Sequence, residues 1–426
     1  MKNLTFLCFG SRGDVQPYVA LGAGFHKAGY HVRIATHDIF KEMVTSHGLE
    51  FASVKGNPRE LLEGDSTKEM LKTGNNPVKM VFEIRKLAEA VLSEMLTSAI
   101  EACVGSDALL YGMMGIPAYH LADKWKLPRF PMFLQPATRT GEFPSFTFPD
   151  LSLGPAYNKM TWYIGEQMMW MMLGKSTDKW RNETLGLPSL TAKQQYDILY
   201  TQKLPFTYGI SENVLPHPKD YPAWHRLVGY WFLDQSTGWI PPKELVDFIQ
   251  AGDPPVYIGF GSMNAGEAKS TTQTVVEALK MTRQRAVLLR GWGGLQTEDL
   301  PETVHMMDSA PHDWLFPQMS CIVHHGGAGT IAAACRAGIP QVVVPHFADH
   351  PFWATRVHKL GIAAKPVYMS RLNAGALAGA MESVLKDGEM KVRAHYLGEQ
   401  IRKEDGVGRA VEIVNGYLKK GVEHVY

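Results

Sequence analysis

Short apolar runs alternate with amphipathic stretches along the first half of the chain. Residues 4–9 form one such run, and after a glycine-bounded turn Tyr18, Leu21 and Phe25 recur at helical spacing. Residues 31–36 form the next run. Runs of this length are typical of strands buried on both faces, and strands alternating with helices indicate a parallel sheet. The first half therefore predicts a parallel α/β domain.

The second half repeats this order, so the fold class predicted is α/β with two doubly wound, Rossmann-like domains. The further strands predicted are residues 108–111, 129–134, 207–210, 256–260, 286–289, 321–324 and 341–344. The domains predicted are residues 1–215, a linker 216–250 rich in proline and aromatics, residues 251–405, and a final helix 406–426. We expect that helix to return toward the N-terminal domain.

Composition narrows the function without identifying it. Of the 426 residues, 45% are hydrophobic and 20% are charged, with 43 basic against 42 acidic side chains. This balance lacks the basic stripe that a nucleic-acid partner requires, so we expect none. No signal-peptide pattern opens the chain, and no apolar stretch reaches the ~20 residues that span a bilayer. A cytoplasmic protein is predicted, with contact to a membrane surface left open, and the oligomeric state is not determined.

Small and polar clusters follow the predicted strands of the second half. Ligands of open parallel sheets bind beyond the carboxyl ends of the strands, so these clusters are expected to converge on one crevice. They are residues 261–262, 290–294, 324–330 and 346–350.

The cluster at residues 324–330 carries the most specific chemistry. Three glycines, Gly326, Gly327 and Gly329, allow close backbone approach, and a helix is predicted to start there. A helix N-terminus attracts anions, and His325 and Thr330 add donors. The pattern suits a departing pyrophosphate. A tight strand-to-helix turn with a structural histidine is the alternative reading.

The turn at residues 10–14 is also bounded by glycines, but it carries an acidic side chain instead of a histidine. Asp14 would repel a phosphate, so a second anion site is not expected. The carboxylate could accept a proton from a hydroxyl, or it could be the N-cap of the following helix. Spacing alone leaves base and cap open. If the two sheets oppose each other, this turn faces the same cleft.

Residues 139–172 are rich in aromatics and methionine. Methionine-rich surfaces adapt to apolar ligands, so an acceptor pocket and ordinary core packing are equally consistent with this composition. The acceptor residues predicted are Phe143, Phe146, Tyr157, Trp162, Met169 and Trp170. No Asp-X-Asp triplet occurs, so metal-independent chemistry is expected.

Six segments together resemble sterol 3-beta-glucosyltransferases and the related bacterial enzymes that glycosylate antibiotic aglycones. They are residues 10–18, 138–140, 179–186, 229–234, and the pair 311–317 with 324–330. The likeness extends over nearly the whole chain. It implies the GT-B fold, in which two Rossmann-like domains face each other across a cleft, and an inverting hexosyl transfer from a UDP-sugar.

The resemblance also implies roles for particular residues. Asp14 falls where the superfamily places its catalytic base, His325 matches a histidine that contacts the diphosphate, and Asp349 matches an acid that binds sugar hydroxyls. His350 stands where glucosyl-transferring relatives usually have glutamine. The donor-binding residues implied are Ser11, Arg12, Gly13, Ser262, Trp292, Ser309, Ala310, His312, Trp314, His325, Gly327, Ala328, Gly329, Thr330, Asp349 and His350.

The implied reaction needs no cofactor, because the UDP-sugar is a co-substrate. UDP-glucose is the first choice, with galactose or another hexose open because of His350. A sterol is the expected acceptor, and polyketide or phenolic natural products are the alternative. A non-catalytic nucleotide-sugar or lipid-binding protein is the other class of reading. A nicotinamide oxidoreductase is disfavoured, because neither glycine-rich turn has the G-x-G-x-x-G pattern.

Overall fold

The computed structural model describes residues 2–56, 92–261, 265–290 and 300–419. Two of the predicted donor residues, Ser262 and Trp292, lie outside the described residues. The chain forms two compact units. The first unit is Met1–Glu212, His217–Leu233 and Asp405–Tyr426, and the second is Asn213–Pro216 and Asp234–Glu404.

The first unit is built on a parallel sheet whose order is β3-β2-β1-β4-β5-β6-β7 among the described strands. The direction of winding reverses between β1 and β4, where Leu4 lies opposite Ala108. Such a reversal is the usual position of a ligand site in a doubly wound sheet. The strands are β1 (Asn3–Leu7), β2 (His31–Thr36), β3 (Glu50–Ser53), β4 (Ala108–Tyr111), β5 (Arg129–Phe133), β6 (Phe206–Tyr208) and β7 (His225–Leu227).

Helices connect these strands. They are α1 (Arg12–Lys27), α2 (Lys41–Thr45), α3 (residues 92–103), α4 (Pro117–Trp125), α5 (Pro155–Met169), α6 (Lys175–Glu183) and α7 (Ala192–Thr201). A π-helical turn, Trp170–Gly174, joins α5 to α6, and short 3₁₀ turns occupy Asp38–Phe40 and Met113–Gly115.

The first helix begins one turn earlier than its proline suggests. Ser11 is the N-cap of α1, so Pro17 lies inside the helix rather than in its first turn. Phe25 packs on Phe6 of β1 with ring centroids 5.7 Å apart. The helix ends at Lys27, and Gly29 turns the chain in the left-handed region at φ 90°.

The second unit carries a five-stranded parallel sheet among its described strands, in the order β10-β9-β8-β11-β12. This order matches the first five strands of the other unit, and the reversal lies between β8 and β11. The strands are β8 (Val256–Gly259), β9 (Ala286–Leu289), β10 (Val304–Met307), β11 (Cys321–His324) and β12 (Gln341–Val343).

Apolar residues cover both faces of this sheet. Val256 and Ile258 belong to one buried cluster, and Tyr257 between them belongs to the other, as the two-residue period of a strand requires. The flanking helices are α8 (Lys243–Gln250), α9 (Ala265–Thr282), α10 (His312–Leu315), α11 (Ala328–Ala337), α12 (His350–Lys359), α13 (Ala374–Lys386) and α14 (Gly388–Arg402). Short 3₁₀ turns occupy Phe316–Gln318 and Met369–Arg371.

The last helix, α15 (Gly406–Lys419), packs on α1 within the first unit. Its buried face, Ala410, Val411 and Val414, joins the same apolar cluster as Phe25 and Leu21. In the described part of the chain, no helix has both the length and the apolar character needed to cross a membrane.

Candidate functional site

Two glycines hold His325 at the point where the second sheet reverses direction. Gly261, two residues after the end of β8, has φ +67°, and a Cβ placed on it would lie 2.9 Å from Cε1 of His325. A Cβ on Gly327 would lie 2.6 Å from Nε2 of the same ring. Since β8 and β11 are neighbours, both glycines place backbone against the imidazole, and its position is fixed from two sides.

Helix α11 starts immediately after this histidine. Gly327 is its N-cap, and its carbonyl accepts the amides of Thr330 and Ile331 at 3.0 Å each. Ala328 and Gly329 begin the first turn, where helix amides have no intrahelical acceptor. Apart from its chain neighbours and the backbone of its own helix, no described atom lies within 4 Å of the position a Gly329 Cβ would take. An accessible helix N-terminus of this kind binds anions.

The adjacent histidines of this segment have different roles. His324 is fully buried, its Nδ1 accepts the amide of Gly326 at 3.1 Å, and its Nε2 lies 3.0 Å from Oε1 of Gln341. Because Nδ1 accepts, Nε2 carries the proton and donates to Gln341. Burial lowers the pKa of His324 to about 4, so the ring is neutral and structural.

His325 lies instead among the side chains of the loop after β12. Its ring centroid is 4.9 Å from that of His350 and 6.3 Å from that of His346. The Nδ1 atoms of His325 and His350 are buried and have no hydrogen-bond partner among the described residues. Buried polar atoms are almost always paired, so two such atoms at one sheet edge point to a ligand that would pair them.

Both of these rings are neutral in the free protein. Burial lowers the pKa of His350 to about 4. Burial, and then the neighbouring imidazole of His350, hold the pKa of His325 well below its usual range. Each neutral ring offers one donor and one acceptor, and each would gain proton affinity beside an anion.

The loop that carries His350 places Asp349 at the N-cap of α12. Oδ2 of Asp349 accepts the indole N–H of the buried Trp353 at 2.9 Å, which orients the carboxylate. Ala348 has φ +54°, and Phe347 is 63% exposed with its ring 5.1 Å from that of His350. His350 is therefore a neighbour of His325, and Asp349 precedes it at the start of α12.

The segment expected to receive the nucleotide base packs against aromatic side chains of the second unit. His312 stacks on Phe316 with centroids 4.2 Å apart, and Trp314 meets Trp239 at 5.1 Å. These two predicted donor residues are half-buried against protein rings, while Ser309 is exposed and Ala310 is half-buried. Helix α10, which carries His312 and Trp314, contacts α11.

In the first unit, Asp14 is the third residue of α1. Its Oδ2 accepts both the amide and the hydroxyl of Ser11 at 2.9 Å each. Gly10, at φ +124°, makes room for this carboxylate, since a Cβ there would lie 2.5 Å from Oδ2. The N-cap is therefore Ser11 and not Asp14, although Asp14 does stabilise the helix start. Ser11, Arg12 and Gly13 are exposed.

The predicted acceptor residues separate into two groups. Trp162 is 4% exposed and donates its indole N–H to the carbonyl of Phe143 at 3.1 Å, so these two residues pack together. Tyr157 donates its hydroxyl to the carbonyl of Pro149 at 2.8 Å. Phe146, Met169 and Trp170 are half-buried. Trp170 also lines a groove of about 630 Å³.

A polar network around Arg139 was not predicted. The guanidinium pairs with both carboxylate oxygens of Glu166, at 2.8 and 2.6 Å, and with Asp197 at 3.0 Å. The Arg139 amide donates to the hydroxyl of Tyr200 at 2.6 Å. The network ties α5 and α7 to the segment after β5. Residues 138–140 carried part of the resemblance. The three partners of Arg139 are distant in the chain, and nothing in the sequence indicates that they meet it.

Two family models match the chain. Residues 4–140 match the glycosyltransferase family 28 N-terminal domain. Residues 287–406 match the C-terminal domain of the erythromycin biosynthesis protein CIII-like family.

Sterol 3-beta-glucosyltransferases are similar over almost the whole chain. The enzyme of Glomerella lagenarium is 38% identical over 426 residues, which cover 97% of this chain and 28% of that protein. The enzyme of Emericella nidulans is 37% identical over 97% of this chain and 30% of its own length. The chain thus spans less than a third of these relatives, and the resemblance seen in the sequence motifs is confirmed.

Solved structures of glycosyltransferases share the fold. The kitacinnamycin enzyme aligns with a TM-score of 0.72 at 19% identity, covering 97% of this chain and 98% of that one. The calicheamicin enzyme CalG4 aligns at 0.68 and 19%, covering 99% of both chains. The predicted GT-B fold class, with two parallel α/β domains, is confirmed.

Proposed function

We propose that this chain transfers a hexose from a UDP-sugar to the hydroxyl of a lipophilic acceptor, with a sterol as the first choice. One observation supports this most directly: two unpaired buried imidazole nitrogens lie beside the N-terminus of α11. The similarity to sterol 3-beta-glucosyltransferases across 97% of the chain supports the choice of acceptor over a polyketide or phenol.

The donor diphosphate would bind at the start of α11. The amides of the first turn supply donors and a partial positive charge, and Nδ1 of His325 supplies a further partner. These groups stabilise the charge that develops on the UDP leaving group, which is where a transferase of this class needs assistance. Ser309, Ala310, His312 and Trp314 are proposed to contact the base of the nucleotide.

Asp14 is proposed as the general base. It removes the proton from the acceptor hydroxyl as that oxygen attacks the anomeric carbon, and UDP leaves from the opposite side. The product then has inverted configuration. The two hydrogen bonds from Ser11 hold the carboxylate in one orientation, so the cap contact and the catalytic role are compatible. We propose that no metal or cofactor takes part.

The sugar is proposed to bind Asp349 and His350. A carboxylate oriented by Trp353 is a suitable acceptor for sugar hydroxyls. An imidazole presents one donor and one acceptor at angles that differ from those of a glutamine amide. Glucose is the first choice, and galactose or another hexose is the alternative that His350 favours.

The experiment is turnover by Asp14→Asn. This change keeps the shape and an acceptor for Ser11 but removes basicity, so kcat should fall by roughly 10²–10⁴ while UDP affinity is unchanged. Asp107→Asn is the matched control, because Asp107 also accepts a backbone amide, that of Asn3 at 2.6 Å, in the same unit. Normal turnover by Asp14→Asn would refute the base.

The substrates are tested by incubating UDP-sugars in turn with sterols, polyketides and phenols. Gain of one hexose on one acceptor, seen by mass spectrometry, would identify donor and acceptor together. Binding of donor and acceptor without UDP release would show a binding protein instead.

A further inference from the structure

Helix α5 and the π-helical turn after it expose apolar side chains and bury several polar ones, the reverse of an ordinary surface helix. Polar side chains lie on the inner face, where Asn158 donates to the carbonyl of Gly141 at 2.9 Å and Thr161 accepts the amide of Ser145 at 2.9 Å. Glu166 is held there by Arg139. The inner face thus combines these polar contacts with the packing of Trp162 on Phe143.

The outer face is apolar. Its large side chains recur at spacings of one, three and four residues, which places them on a single side of the helix. They are Met160 (51% exposed), Tyr163 (57%), Ile164 (37%), Met168 (47%), Met171 (60%) and Met172 (53%), here called the methionine face. Leu151 and Leu153, in the loop before α5, are exposed as well, at 54% and 65%. A contiguous exposed apolar face of this size marks an interaction surface.

Basic side chains flank the methionine face. Lys159 precedes its first methionine, and Lys175 and Lys179 follow its last ones; all three are exposed. Lys175, Lys179 and Lys193 also line the groove beside Tyr163. Fewer carboxylates than lysines lie beside this groove.

Asp178 lines the same groove, but its carboxylate accepts the amide of Leu190 at 2.7 Å. Glu183 lies 4.0 Å from Lys179 in an exposed pair, which stabilises little. At the other end of α5, Asp150 is exposed beside Leu151, and the Asp220 carboxylate lies near Lys159 and offsets its charge. The positive charge therefore lies beside the groove, at Lys175, Lys179 and Lys193.

We propose that the methionine face, with Lys175, Lys179 and Lys193, docks this chain on the surface of an anionic lipid bilayer. Methionines and a tyrosine enter the boundary between headgroups and acyl chains, while the lysines contact anionic headgroups. Helices that lie in a membrane interface combine an apolar side with flanking lysines in this way. The proposal does not depend on sugar transfer.

A second copy of the chain fits the same surface less well. In a two-fold contact each patch meets itself, so the lysines of one copy would face those of the other. Like charges in an interface weaken association. An anionic bilayer is complementary to both the apolar and the basic parts of the surface.

The test is cosedimentation of the full chain with vesicles, without donor or acceptor. We expect binding to vesicles of phosphatidylcholine with phosphatidylserine, weaker binding to phosphatidylcholine alone, and a decrease with salt. Met171→Asp should weaken vesicle binding at least tenfold, because it puts a charge where the bound methionine would be buried among the lipids. Replacing any one of these lysines by glutamine should weaken binding to anionic vesicles roughly fivefold.

Tyr396→Asp is the matched control, because Tyr396 is a comparably exposed large side chain, 62% exposed on α14 of the second unit. This variant should bind vesicles as the original chain does. Thermal unfolding checks that each variant is folded. Equal vesicle binding by Met171→Asp and the original chain would overturn the proposal. So would an absence of binding to anionic vesicles, or a dimer in solution that Met171→Asp dissociates. Turnover of a detergent-dispersed acceptor should be unchanged in Met171→Asp, so a failure here is distinct from a failure of the proposed reaction.

Discussion

Burial and hydrogen bonding separate two residues that are adjacent in sequence at the end of β11. His324 uses both ring nitrogens within the protein, one with Gly326 and one with Gln341. His325 has a buried Nδ1 without a protein partner. Successive residues at the end of a strand point in opposite directions, so one ring enters the core and the other lies at the sheet edge. Of these two histidines, only His325 is therefore placed to contact the proposed anion.

Gly327→Ala tests this position. The added Cβ would lie 2.6 Å from Nε2 of His325, closer than real Cβ contacts, so the ring must move. Losing one charge-assisted hydrogen bond should weaken UDP binding by roughly 10–100-fold in calorimetry. Gly379→Ala, on α13 with open space around its Cβ, is the control. An unchanged UDP affinity in Gly327→Ala would contradict the placement of the diphosphate.

Helices α1 and α15 approach each other closely at one glycine. A Cβ on Gly24 would overlap Cγ1 of Val407, and Val411 lies behind it. The close approach lets Ala410, Val411 and Val414 reach the apolar cluster of the first unit. A single small residue thus allows the last helix to complete that core.

Gly24→Ala should lower the free energy of unfolding of the first unit. Overpacking costs about 1–3 kcal/mol, and the better helix propensity of alanine offsets up to about 1 kcal/mol. The double variant Gly24→Ala with Val407→Ala makes room, so urea unfolding should show a favourable coupling between the sites. Strictly additive effects would show that the two helices do not meet at this point.

The strands that the sequence pattern missed lie at the edges of their sheets. Those missed are β3, β7 and β10, and each is outermost in its sheet. Strand β3 has the burial pattern of a half-exposed segment, and β7 alternates buried and exposed residues within the predicted linker. Strands with neighbours on both sides are apolar throughout and are recognised easily. Strand β12 is also outermost among the described strands, but all three of its residues are buried, and it was predicted.

Neutral buried histidines occur in both units. Burial, then the guanidinium of Arg181, lowers the pKa of His120 to about 3, and burial lowers that of His225 to about 4. His324 and His350 also have pKa values lowered by burial to about 4. In an unfolded chain each would titrate near 6.5. Acid therefore protonates the unfolded state first.

The free energy of unfolding should be flat above about pH 7 and fall as the pH drops from about 6.5 toward 4. Each such histidine contributes a slope of up to about 1.4 kcal/mol per pH unit in that window. Urea titrations from pH 8 to 5 measure it. His120→Asn should reduce the slope, because it removes one imidazole whose pKa is lowered by burial. A slope unaffected by His120→Asn would contradict this account.

Local pattern was sufficient for the fold class, because buried parallel strands and their glycine-rich exits are recorded in consecutive residues. Once the strands are parallel, His325 and His350 must lie at one sheet edge, so the core of the candidate site followed as well. Asp14 was recognised as a special carboxylate, although only the structure shows that Ser11 is the N-cap and Asp14 the third helical residue.

Only the tertiary structure decided which side of each element faces inward. Periodicity in residues 155–172 indicates a helix, but it does not tell whether its methionines pack in the core or face solvent. That depends on distant partners, such as Arg139 holding Glu166 on the inner face. The same holds for the two histidines of β11 and for the contact of Gly24 with Val407. Contacts between residues far apart in the chain are set by packing in three dimensions, which no local spacing encodes.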